Sequence, residues 1–268
     1  MKPARPEHLP DFKAPPLNEV VLGVQFNSPI GYQQILAGEV WGLFRNAFPE
    51  TSEMAPLMPA FETFGLPSAG MPQFRFLESG IEHNRYWFLT EKGDELLQFQ
   101  QDRFLHNWRK VGDSTNEYPR FESMINRFSQ ELNKLEEFAN NLSPQALIIN
   151  QCEVTYINHV SGSSLKAAEW FNFLDFDDNE PEDFAVAFRE RILDTDGNPQ
   201  GRLICDVKVA YRQDYSKIYV MNLTARGTPS KPDIDSALDF LKAGRELIVT
   251  RFTELTTQVA HKAWERTK

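Results

Sequence analysis

The 268-residue chain sets 38 acidic against 28 basic side chains, for a formal charge of −10, and is 41% apolar and 12% aromatic, with 21 phenylalanines. That composition is globular, enough for one large domain or two ordinary ones, and it excludes a disordered chain. The acidity disfavours general nucleic-acid binding, because it repels a phosphate backbone unless basic side chains are locally segregated.

The first dozen residues are polar and proline-rich, which predicts a loosely held extended segment. Val20, Leu22, Val24 and Phe26 then alternate with Val21, Gly23 and Gln25, the pattern of a strand with one apolar face and one partly apolar face. From Tyr32 to Phe48 the apolar residues recur at helical spacing until Pro49. Residues 50–72 hold four prolines without a period and read as a long loop or flap. Strands are expected at Gln73 to Glu78 and Arg85 to Thr90, and after the Glu91-Lys92-Gly93-Asp94 turn a third runs from Glu95 to Trp108. Phe121, Ile125, Phe128, Leu132, Leu135 and Phe138 form one stripe of a helix reaching about Asn141.

The second half follows the same plan. A strand is expected over residues 146–160, and residues 165–176 are ambiguous. Phe184 to Leu193 pairs through Asp196-Gly197 with Arg202 to Arg212, followed by a strand from Lys217 to Ala225. Asp233 caps a final helix with Ile234, Leu238, Leu241, Ile248, Phe252, Leu255 and Val259 on one stripe. The expected class is therefore α+β, two pseudo-repeated lobes (1–142 and 143–268), each an antiparallel sheet covered by a long helix, in the manner of helix-grip or TATA-binding-protein-like folds. A final helix running unbroken to Lys268 would extend ~54 Å, against a radius of gyration of ~18 Å for a compact chain of this size. It must break, with Gly244 one place to do so, project as a surface for homodimerisation, or curve over both lobes.

Established chemical motifs are absent: no P-loop, dinucleotide-binding glycines, nucleophile elbow or His-Glu-x-x-His. Asp194-Thr195-Asp196-Gly197-Asn198 resembles a calcium loop, but Pro199 and Cys205 stand where glycine and glutamate are required, so a hairpin turn is expected. The histidines show no ligand spacing, and Cys152 and Cys205 sit in strand-like runs as buried thiols. No catalytic residue, metal or cofactor is assigned. No apolar run reaches the roughly eighteen residues of a membrane span, and the N-terminus lacks the apolar centre of a leader, so a cytoplasmic chain with no membrane partner is expected.

The binding candidates cluster in QFQQDRFLHNWRKVGDSTNEYPR. On one continuous strand Asp102, Phe104, His106 and Trp108 share a face, and Arg103, Asn107 and Arg109 lie on the other, where guanidinium groups suit a carboxylate or phosphate. Arg120 stands where the next helix offers free amides to an anion. Glu153 and His159 share a face of the later strand but are too far apart along it to act as a direct acid–base pair. Asn158 lies on its opposite face.

Pro15-Pro16-Leu17-Asn18-Glu19-Val20-Val21 with Phe26, Asp102-Arg103-Phe104 with Asn107-Trp108-Arg109, Tyr118-Pro119-Arg120-Phe121, and Glu153-Val154-Thr155-Tyr156-Ile157-Asn158 together resemble a sporadically distributed, functionally uncharacterised prokaryotic protein family. Phe252-Thr253-Glu254-Leu255-Thr256 with His261 and Trp264 fits the same resemblance, which spans nearly the whole chain. It implies no catalytic residues. The patchy distribution implies mobile genes of the defence or toxin–antitoxin kind, an association rather than a mechanism. The expected function is thus non-catalytic recognition, binding a partner protein or serving as an accessory in a defence or antitoxin-like module, the acidic surface meeting a basic partner. A small-ligand binder with a pocket between sheet and helix, or an enzyme using carboxylates with His106 or His159, are the alternatives.

Overall fold

The structure is a computed structural model that describes residues 5–65, 83–112, 115–145, 147–162, 166–176 and 179–268. Nine antiparallel strands form one sheet: β1 (Leu17–Phe26), β2 (Glu50–Met54), β3 (Arg85–Leu89), β4 (Glu95–Gln100), β5 (Arg103–Arg109), β6 (Ile149–Val160), β7 (Ala185–Leu193), β8 (Pro199–Tyr211) and β9 (Lys217–Gly227), in the order β2-β3-β4-β5-β1-β6-β9-β8-β7. Helices α1 (Ala37–Phe44), α2 (Phe121–Leu142), α3 (Ala167–Trp170), α4 (Ile234–Leu255) and α5 (Gln258–Ala263), with a short 3-10 helix at Gln34–Leu36, are the other elements of the described residues.

One sheet per lobe is corrected by this order. β1 and β6 pair from Leu17 opposite Asn158 to Phe26 opposite Ile149, which joins both halves in a single sheet. Their sequences fit that central place. On β1, Val20, Leu22 and Val24 are buried under the helices, while Val21 and Gln25 are buried on the opposite face. A strand covered on both faces belongs inside a sheet rather than at its edge.

The expected strand from Glu95 to Trp108 is two strands, β4 and β5, folded back at Gln101-Asp102 so that Phe99 faces Phe104 and Glu95 faces Trp108. Asp102 therefore sits in the turn and not beside Phe104, His106 and Trp108. The first five residues of the expected flap form β2, paired with β3 alone, so this polar edge strand needs no apolar face. The strand expected at Gln73 to Glu78 lies outside the described residues.

The helices follow their stripes. Phe128, Leu132 and Leu135 on α2 and Leu241 and Ile248 on α4 are almost wholly buried. The Asp233 carboxylate accepts from the Ser236 amide at 2.8 Å, the expected N-cap. The final helix breaks at Thr256-Thr257 instead of Gly244. Thr257 caps α5, which folds back so that Trp264 stacks on Phe252 and Trp170 at 5.2 and 5.8 Å between ring centres. Gly244 serves close approach: a Cβ there would lie 2.8 Å from Val154 Cγ1 and 2.9 Å from the Ala225 Cβ. The Asp194–Asn198 segment is the expected hairpin turn, with the Asp194 carboxylate accepting from the amides of Asp196 and Asn198.

Candidate functional site

The long helices pack on one face of the sheet, and among the described residues no helix covers the strands that meet residues 55–65 on the other. Residues 55–65 cross that open face as a strap. Gln100 of β4 holds Leu57 through its side-chain amide, accepting from the Leu57 N–H at 2.8 Å and donating to the Leu57 carbonyl at 3.0 Å. Arg103 of β5 donates to the Met58 carbonyl at 2.9 Å, and Gln25 of β1 accepts from the Ala60 N–H at 2.9 Å. Farther on, the Glu62 carboxylate meets Arg202 of β8 and lies 3.6 Å from Arg226 of β9. Arg202 also donates to the Thr63 carbonyl at 2.6 Å and stands 4.5 Å over the Phe64 ring.

Spacing shows how the strap runs. From β4 to β8 there are five inter-strand steps, ~24 Å at ~4.8 Å each. The seven residue steps from Leu57 to Phe64 cover ~23 Å only when the chain is fully extended. The strap is therefore an extended chain crossing the strands, gripped mainly through its backbone at one end and through the Glu62 carboxylate at the other.

It does not fill the surface beneath it. A cavity of about 260 Å³ remains between Leu57, Met58 and Ala60 above and Gly23, Arg103 and Glu153 below. Gly23 makes room there for the Leu105 side chain, which would lie 3.1 Å from a Cβ at that position. Gln151 also lines this cavity, and the carbonyl oxygen of its side-chain amide, itself buried, has no hydrogen-bond partner among the described residues, a costly state for a group removed from water.

Of the sequence candidates, the structure brings Arg103 and Glu153 into this site. Glu153 accepts from Arg226 Nε at 2.6 Å and so aims that guanidinium at Glu62. Burial pulls the Arg103 guanidinium below its ordinary pKa, against the raising effect of Asp102, whose carboxyl is itself pushed up by burial. Asn107 lies in a neighbouring amide chain, accepting from Gln98 at 2.8 Å and donating to Glu19 at 2.5 Å. Arg109 donates to the Gly93 carbonyl and lies 5.5 Å over Trp87. His159 is half-buried, its pKa lowered by burial and by Arg212 and Lys110.

Arg120 and Asn158 fall elsewhere, on a smaller cavity of about 60 Å³ beside α4 and just ahead of α2 that Arg5, Tyr118, Tyr156 and Arg245 also line. Arg120 has φ of +74°, rare for a side-chain-bearing residue, and is tied to Asp11 at 3.0 Å. Sequence reasoning missed Gln25, Gln100, Glu62, Arg202 and Arg226. Polar residues on an otherwise buried central strand, Gln25 above all, were the available signal.

A scan of family models, a search of curated proteins and a search of solved structures each found no match to this chain.

Proposed function

We propose that the chain is a non-catalytic recognition protein that binds a partner protein through the open face of its sheet. The observation that carries this reading is the grip of Gln25, Gln100 and Arg103 on the main-chain N–H and C=O groups of an extended segment. Every extended polypeptide presents those groups, so a face equipped to hold them suits a second chain as well as its own. A photo-crosslinking residue at Lys208, exposed on the open face, is expected to capture a defined partner in the native cell, and one at Glu137 on the outer surface of α2 is not. Equal capture at both positions, or none at Lys208, sinks the reading.

We further infer a two-lobed arrangement within this one sheet, helix-grip or TATA-binding-protein-like, of residues 1–142 and 143–268. Its support is the strand order, in which β4-β5-β1 mirrors β8-β9-β6 across the central pair, each half carrying a 22-residue helix. Separately expressed halves that reassemble into one folded species are its expected behaviour.

A second reading, a binder of small anions, is favoured by Arg245. This side chain is 3% exposed, pairs with Glu122 at 2.7 Å, and leaves its Nε without a partner beside the smaller cavity. Calorimetric titration with phosphate and acetate tests it, and no heat from either excludes it.

A further inference from the structure

Building on recognition by the open face, we infer that the strap is an internal stand-in for the partner, and that the partner supplies an extended acidic segment whose carboxylate takes the place of Glu62 between Arg202 and Arg226. The positions define the chemistry. An apolar residue enters at the Gln100 end, where Leu57 lies, and a carboxylate follows five residues later, where Glu62 lies. An aromatic ring two residues beyond it covers Arg202, as Phe64 does.

Two features mark this as recognition rather than a structural loop. Part of the carboxylate receptor is held independently of the strap: Arg226 is paired with Glu153 of the neighbouring strand, and Arg202 stands directly opposite Arg226 in the β8–β9 register. Two guanidinium groups side by side on a sheet repel each other until an anion separates them. The strap is also a poor fit, since the cavity of about 260 Å³ and the orphaned Gln151 carbonyl lie under its middle. A partner segment with a larger side chain near Ala60, carrying a donor for Gln151, satisfies both. The net charge of −10 pointed to a basic partner, but these local arginines select an acidic one.

Because the strap is tethered, it competes at high effective concentration, and an external segment binds weakly while the strap is docked. The test uses a fluorescent peptide copying residues 55–65, and the same peptide with glutamine in place of the glutamate. Binding is measured to the unaltered chain, to Glu62→Gln, and to a full-length chain whose residues 55–65 are replaced by glycine and serine. The expected result is at least tenfold tighter binding of the acidic peptide to either altered chain than to the unaltered one, and at least tenfold weaker binding of the glutamine peptide. A folded strap-replaced chain that binds neither peptide, binds both equally, or prefers single-stranded DNA of equal length overturns the inference. So does failure of both altered chains to fold, because the strap is then part of the core. Lys208 crosslinking to a partner without peptide binding refutes the acidic-segment inference alone, whereas loss of both refutes the recognition reading as well.

Discussion

Nδ1 of His106 lies 2.7 Å from Oε2 of Glu131, joining β5 to α2 inside the protein, with the histidine fully buried and the glutamate side chain 10% exposed. Nε2 of the same ring faces Glu95 of β4 at 3.3 Å, and Glu95 is paired with Arg127 of α2. Burial opposes a charge on the ring, but the two carboxylates outweigh it and raise the His106 pKa to about 9. Burial likewise works to raise the Glu95 carboxyl, yet His106 and Arg127 hold it below its ordinary value. The pair has the geometry of an acid–base pair, but its histidine is wholly buried, so it acts as a charged tie between sheet and helix.

A stability profile follows from the sign of that shift. The histidine is protonated in the folded chain up to about pH 9 and in the unfolded chain only below about 6.5. Its stabilisation is complete below 6.5, declines as the pH rises, and is gone above about 9. At ~1.4 kcal/mol per pH unit this amounts to ~3 kcal/mol. Urea denaturation from pH 6 to 10 is expected to show the decline in the unaltered chain and a flatter profile in His106→Gln and Glu131→Gln. An unchanged slope in both variants excludes the charged tie.

Gly244 supplies a packing prediction. Alanine there gains ~1 kcal/mol of helix propensity, but its methyl group would meet Val154 and Ala225 at under 3 Å. Overpacking costs ~1–3 kcal/mol, and the backbones of α4 and the sheet have little room to part. Gly244→Ala is therefore expected to lower the midpoint of denaturation, and Val154→Ala in the same chain to recover part of the loss. A more stable single variant would show that propensity wins.

How much of this was legible in the sequence differs by the range of the interaction. α2 and α4 were readable because their stripes repeat within a few residues, and Asp233 announced its helix by a local hydrogen bond. The β4–β5 turn was hidden because Gln101 and Asp102 carry neither glycine nor proline and apolar residues continue on both sides. β2 was hidden because an edge strand need not alternate. The pairing of β1 with β6 and the strap's contacts are long-range: Glu62 and Arg202 are 140 residues apart. A side-chain amide that binds another segment's backbone leaves no periodic trace, so Gln25 and Gln100 gave only the weak sign of being polar within apolar strands.

Both thiols should be silent in the folded chain. Cys152 and Cys205 are each 1% exposed. Burial pushes the Cys152 pKa well up, and burial with Asp206 and Glu190 nearby raises that of Cys205 to about 12. Little thiolate forms at neutral pH, and reagents cannot reach it. Titration with a disulfide reagent is expected to give no fast-reacting thiol in buffer and two in denaturant. A fast thiol under native conditions would show that the helices lift readily from the sheet.

The last prediction concerns how the chain ends hold each other. The Lys13 amide donates to the Glu265 carbonyl at 3.2 Å, the Ala14 amide to the Trp264 carbonyl at 3.1 Å, and the Thr267 amide to the Asp11 carbonyl at 2.9 Å. Phe12 packs edge-on against Phe252 and Trp264. Residues 11–14, at the end of the N-terminal segment expected to be loose, are therefore fastened where α5 folds back, and the Trp264 ring is the common wall of both. Trp264→Ala removes a buried indole, a change that costs ~3–5 kcal/mol, and frees Phe12 along with α5. Hydrogen exchange should rise at Lys13, Ala14 and Thr267 before it rises in β1 or β6. Uniform acceleration across the sheet would instead make the clasp part of the global folding unit.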